Sequence, residues 1–275
     1  MRLIPIASLA LTGLMLSSNA FACDTILGPS QISINSPGKY CLSANRGLPI
    51  EVNGSDIELD CRGRTLASGG PVGGGAQVGI RVNFSGKVIV RNCRIDGFPI
   101  GIDANTQSGL QLLNNTVLRS QDTPIAVHGG FNDPQVEPAR IVGNRVIGYG
   151  TNGGSQPNFG PALRLVGLAR AVISSNVVAG YNGPTALELF DSPDAQLTSN
   201  QFLDAQGVNR MIRLEQSPRA RVVHNTIMSR NPTVAEGLSG STDATCVENV
   251  FINTVRSGFS DCVVTRYNVE QQNGF

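Results

Sequence analysis

The chain has 275 residues, of which 40% are hydrophobic and only 15% charged, with 21 Lys and Arg against 20 Asp and Glu. The apolar content is enough to build a core and excludes a disordered chain. The even charge balance excludes a basic nucleic-acid-binding surface, an acidic tail and a cationic membrane helix.

Residues 1–22 read as a targeting segment. Arg2 gives a basic start, Leu3 to Leu16 form an apolar run, and Ala20-Phe21-Ala22 is a small-x-small cleavage signature. The run is too short for a spanning helix of about 20 residues, and no later stretch is apolar enough for a membrane span. A signal peptide cut after Ala22 would leave a formally neutral domain, 23–275, that is secreted or periplasmic. A lipid anchor on Cys23 is the competing reading. It is disfavoured by Ala20 and the bulky Phe21, and because it would strand one thiol.

The six cysteines, Cys23, Cys41, Cys61, Cys93, Cys246 and Cys262, all follow that segment. An even number in an exported chain predicts disulfides, and nearest neighbours pair as Cys23–Cys41, Cys61–Cys93 and Cys246–Cys262. No C-x-x-C pair occurs, and nothing in the motifs asks for a metal or another cofactor.

An irregular repeat follows. Alternating apolar residues, a small or polar pair ending in Asn, and a further apolar residue recur at Leu112–Val117, Ile141–Val146, Ile173–Val178, Leu197–Phe202, Val222–Ile227 and Cys246–Phe251, with an earlier copy at Val90–Ile95 carrying Cys93 in the Asn position. From Cys93 the steps are 22, 29, 32, 24, 25 and 24 residues. Coils of this length cannot bury a core singly and must stack. Stacked parallel strands place equivalent residues about 4.8 Å apart, so Asn at a fixed bend can form an amide ladder. Asn also tolerates the left-handed geometry of a tight bend.

A third strand precedes each Asn motif: Gly79–Asn83, Gly101–Asn105, Pro124–His128, Ala162–Val166, Ala186–Phe190 and Met211–Glu215. Ile80/Val82, Leu163/Leu165, Leu187/Leu189 and Ile212/Leu214 are predicted to point inward, and the intervening residues outward.

These motifs, with the opening Ser36-Pro37-Gly38-Lys39-Tyr40-Cys41 and Ile57–Leu66, resemble the right-handed parallel β-helix of the pectate-lyase-like class. They are similar in particular to exported bacterial proteins known only as β-helix repeat proteins, in which the first turn caps the open end of the helix. The resemblance implies an all-β solenoid of about eight coils with an Asn ladder and a disulfide-stapled N-terminal cap. On that fold, Cys61 and Cys93 fall at equivalent bends of successive coils, within disulfide reach. The other two bridges staple the ends.

In that class, substrate lies along the strand preceding the Asn-ladder strand. Carried over, the face bears Arg81, Asp103, Arg164, Glu188 and Arg213, beside a column of Asn83, Asn105, His128, Phe190 and Glu215. Insertions at 68–77, 129–138 and 148–160 would flank it, with Tyr149, Phe159, Phe131 and Tyr181 available to stack on sugar rings. The implied partner is a polysaccharide, and enzyme activity is left open. A lyase would use His128 as base with Arg164 or Arg213 against a uronate. A glycosidase would use Glu188 and Glu215, although Glu188 flanked by two arginines is a poor proton donor. Equally, Arg164, Glu188 and Arg213 alternate in sign and form an ordinary surface charge ladder. The calcium-binding aspartates of pectate lyases, the Asp-Asp and Gly-His-Gly signatures of polygalacturonases and the Asp-Pro-His of alginate epimerases are missing, so no subfamily transfers its catalytic residues. A non-catalytic binding solenoid therefore remains a full alternative.

Overall fold

The computed structural model describes residues 23–68, 77–130, 136–148, 160–205, 210–229, 236–240, 243–255, 258 and 262–271. Its described strands form three parallel sheets that run the length of the molecule. Sheet A has eleven strands, and sheets B and C have nine each. Within every sheet the strands follow one another in chain order along the stack, so each turn of chain adds one strand to each face. This is a parallel β-helix, a little taller than the Asn spacing alone predicts because the coils at the ends lack that motif.

One coil shows the construction. Leu163–Val166 lies in sheet B, Val172–Ser174 in sheet A and Val177–Ala179 in sheet C. The next coil repeats this with Thr185–Phe190, Gln196–Thr198 and Gln201–Ala205. Alternation within each short strand sends one set of side chains inside. Ile80, Ile102, Ile125, Leu163, Leu187, Ile212 and Leu238 stack in register as a single buried column of sheet B. The inward pairs expected from the sequence are all buried. Like residues sit on like residues because each coil offers its neighbour the same cross-section, which is how a solenoid reaches close packing without a conventional globular core.

The bend between sheets A and C carries the Asn ladder. Asn115, Asn144, Asn176, Asn200, Asn225 and Asn249 are all buried. Asn144 is representative. Its Nδ2 donates to Asn176 Oδ1 (3.1 Å) and Leu112 O (2.8 Å), while its Oδ1 accepts from Asn115 N and Nδ2 (both 3.0 Å). Each amide is thus satisfied on both sides, which removes the penalty for burying it. The ladder extends one rung beyond the expected copies, to Asn268, whose Oδ1 accepts from Asn249.

The left-handed geometry of the bend belongs to a different residue from the one expected. Positive φ falls on the position before each ladder Asn: Asn114 (55°), Gly143 (68°), Ser175 (55°), Ser199 (56°), His224 (56°), Glu248 (55°) and Tyr267 (55°). The ladder asparagines are therefore required for their amides, and their neighbours carry the backbone cost.

All three expected disulfides are present, with Cα separations of 5.8 Å (Cys23–Cys41), 4.7 Å (Cys61–Cys93) and 6.0 Å (Cys246–Cys262). They fit an oxidising compartment. Cys93 holds the Asn position of its coil, its N–H donating to Asn115 Oδ1, and its side chain bridges to the coil before. Near the N-terminal end the buried Arg46 donates to the carbonyls of Gly28, Gln31, Leu48 and Pro49. Burial pushes this guanidinium below its ordinary pKa. Among the described residues no helix is long and apolar enough to cross a membrane.

Candidate functional site

Pairing in sheet B places the expected residues in one outward column. Its order along the stack is Glu51, Arg81, Asp103, Ala126, Arg164, Glu188, Arg213 and Ser239. The adjoining column runs Asn105, His128, Val166, Phe190 and Glu215. Asn83 lies at the register shift between the strands Val78–Ser85 and Ile100–Thr106. Its Nδ2 donates to Asn53 Oδ1 (2.7 Å), and Asn53 in turn donates to Asn35 (3.0 Å). Asn83 thus belongs to a second, shorter amide ladder.

The buried Ala126 divides the charged column into two groups. On one side Arg81 Nε lies 3.6 Å from Asp103 Oδ2. On the other, Glu188 is shared, its two oxygens lying 3.4 Å from Arg164 Nε and 2.9 Å from Arg213 Nη1. The second amino group of Arg213 reaches Glu215 at 2.5 Å. Arg213 is therefore held between the two carboxylates, and Arg164, half exposed at 50%, is the more accessible cation. His128 is partly buried, registered between Asn105 and Val166 and two residues along the strand from Ala126.

Chemically, this arrangement presents alternating donors and acceptors at the coil spacing, with the charges internally compensated. Glu188 and Glu215 are bridged by one guanidinium, that of Arg213. An open cleft of about 270 Å³, lined by Pro49, Ile50, Glu51, Gln77, Val78 and Arg81, adjoins the N-terminal end of the face.

The aromatic wall is largely beyond view. Tyr149, Phe159 and Phe131 lie outside the described residues, with most of the loops that carry them. Tyr181 is a correction. It is 1% exposed, and its hydroxyl donates to the carbonyls of Gly160 and Asp122, so it is part of the core and cannot stack on a ligand. Its apparent loop position misled because a Tyr in a turn can point inward when its hydroxyl finds a carbonyl there.

Two further columns were missed in the sequence. In the turn leaving sheet B, the Ser192 and Ser217 hydroxyls accept from Leu168 N (3.0 Å) and Ser192 N (3.1 Å). Next to them Arg219 donates twice to Asp194, at 2.7 Å each, and these bonds hold that carboxyl below its usual range. The signal was available as Asp191-Ser192-Pro193-Asp194-Ala195 repeating as Gln216-Ser217-Pro218-Arg219-Ala220. Among the described residues no group of three or more His, Cys, Asp or Glu side chains is placed to hold a metal ion.

No protein-family model, no curated protein and no solved structure matches this chain.

Proposed function

We propose that this chain is an exported β-helix protein of the pectate-lyase-like class that binds an uncharged, hydroxyl-rich polysaccharide along the outer face of sheet B without cleaving it. The observation that carries this reading is the mutual compensation of the face: Arg81 with Asp103, and Arg164 and Arg213 with Glu188 and Glu215. Such pairs offer sugar hydroxyls both donors and acceptors in fixed positions. A carboxylate-bearing substrate would have to displace Glu188 from both arginines. The repeat of about 4.8 Å suits a long, periodic ligand lying along the solenoid axis. The three disulfides support export, since such bridges persist outside reducing compartments.

The deciding experiment incubates the chain from Cys23 onward with neutral glycans, pectate, alginate and glycosaminoglycans. Retention of a neutral glycan, lost in Arg164→Ala/Glu188→Ala, with no new chain ends, is the expected result. New ultraviolet absorbance from unsaturated ends would replace this reading with a lyase using His128 and Arg164 beside Ala126. New reducing ends without that absorbance would replace it with a hydrolase.

A further inference from the structure

Where charged side chains share a column, neighbours of opposite sign are the rule in this molecule. Lys39 faces Glu58 and Asp60 faces Arg91 on sheet A, Arg164, Glu188 and Arg213 alternate on sheet B, and Arg219 pairs with Asp194 in the turn between them. Opposite charges one strand apart stabilise a sheet and like charges destabilise it.

One outward column at the rim of the Asn corner has no such alternation: its described residues include two arginines and no acid. Sheet C registers Thr65, Arg94, Thr116 and Arg145 in one outward column. Arg94 and Arg145 are both exposed and stand two coils apart, about 10 Å, with only a threonine between them. Exposed Arg62 and Arg64 lie on the coil before. An open cleft of about 450 Å³ is lined by Arg62, Gly63, Asn92, Cys93, Arg94, Asn114 and Thr116, without a carboxylate among them.

The adjacent acid, Asp60, is already engaged. Its oxygens accept from Arg62 N (2.9 Å) and Asn92 Nδ2 (3.0 Å) and pair with Arg91 Nη2 (3.0 Å). The main-chain N–H groups of the cleft are likewise taken by neighbouring coils: Gly63 by Asn92 O, Asn92 by Leu113 O, Arg94 by Arg64 O, Asn114 by Val142 O and Thr116 by Cys93 O. What the cleft offers a ligand is therefore guanidinium, hydroxyl and amide. Arg62 is held at its rim, with Nη2 2.7 Å from Cys23 Sγ.

We propose that this corner cleft is an anion-binding site, separate from the sheet B face, that takes the carboxylates of an acidic polysaccharide. Arg62 and Arg94 line the cleft itself, Arg145 extends it one coil past Thr116 in the same column, and Thr116 and Asn114 meet the intervening hydroxyls. The absence of an aromatic side chain from the lining favours a glycan over a single-stranded nucleic acid, whose bases need stacking platforms.

The test titrates the chain from Cys23 onward with polygalacturonate oligosaccharides by calorimetry at low ionic strength, with a single-stranded oligonucleotide as competitor. Arg94→Ala/Arg145→Ala is expected to weaken binding about tenfold or more, whereas Arg164→Ala/Arg213→Ala leaves it unchanged. Thr116→Glu supplies a readout that unfolding cannot imitate. It restores the alternating sign between Arg94 and Arg145, so the melting temperature holds or rises while polygalacturonate binding is lost. The proposal is overturned by absence of polygalacturonate binding, by equal affinity in the Arg94/Arg145 and Thr116 variants, or by stronger competition from the oligonucleotide than from the glycan. Loss of neutral-glycan binding in the sheet B variants alone bears on the sheet B reading and leaves the corner site standing.

Discussion

The Asn corner and the outer face of sheet B are built by the same repeat, yet their polar side chains act in opposite ways. Inside the corner the amides are buried, and Asn144 donates to the coils on both sides while accepting from the one before. On sheet B the charges are in contact with water, and Arg164 keeps half of its side-chain surface exposed. Removing a buried rung leaves neighbours that cannot reach water. Removing an exposed charge leaves neighbours that water solvates at once. One row of polar residues therefore holds the solenoid together, while the other is free to be chosen for a ligand.

The sharpest way to break this contrast is Asn176→Leu, which fills the space but leaves Asn144 N without its acceptor and takes one partner each from Asn144 Nδ2, Ile141 O and Asn200 Oδ1. We expect a loss of about 4 kcal/mol, seen as a fall of about 10 °C in the calorimetric midpoint. A fall of under 2 °C would show that the ladder is dispensable. Cys61→Ser/Cys93→Ser removes the cross-link at the start of the same corner, closing 32 residues of sequence, and should cost about 3 kcal/mol in chemical denaturation. A loss near zero would mean that the amide ladder alone sets the register there.

Asp60 gives a pH-dependent test at that end. Burial pushes its carboxyl up. The hydrogen bonds from Asn92 and Arg62 N, with the charges of Arg91 and Lys39, outweigh burial and hold it below its ordinary value. A depressed carboxyl contributes stability that is complete above the unfolded value of about 3.9 and is lost as pH falls through the folded value. The midpoint should therefore drop below about pH 4, and Asp60→Asn should flatten that acid limb while lowering the neutral plateau. An identical acid limb in the variant would remove Asp60 from the account. The smallest effect is expected on sheet B: Glu188→Gln should change stability by less than about 1 kcal/mol, and high salt should erase the difference. A loss comparable to that of Asn176→Leu would contradict the division of labour drawn above.

Much of the scaffold was legible in the residues. A buried amide ladder requires Asn once per coil, so its period survives in the sequence whatever the intervening loops do. Asn268 escaped because the preceding strand, Cys262–Arg266, is mostly exposed and lacks the apolar alternation that marked the other copies. The left-handed residue was misplaced because Gly, Ser, Asn, His, Glu and Tyr all serve there, leaving no compositional signature. Tyr181 could not be assigned from its turn context, since its inward orientation depends on carbonyls of Gly160 and Asp122, both distant in sequence.

The candidate sites divide along the same line. The sheet B column was readable because its strands repeat a local apolar pattern that fixes which residues face out. The gap at Ala126, the clamping of Arg213 by two carboxylates and the alignment of Arg94 and Arg145 in a column whose described residues include no acid were not. By itself, the sequence determined the coil, the Asn ladder and the three cysteine pairs, because each depends on a local pattern or on spacing along the chain. Only the tertiary structure decided which charges neutralise one another and, among the described residues, which exposed arginines share a column with no acid. Lateral neighbours in a solenoid are set by register between coils, and coils whose Asn-to-Asn steps vary from 19 to 32 residues hide that register from any fixed spacing in the sequence.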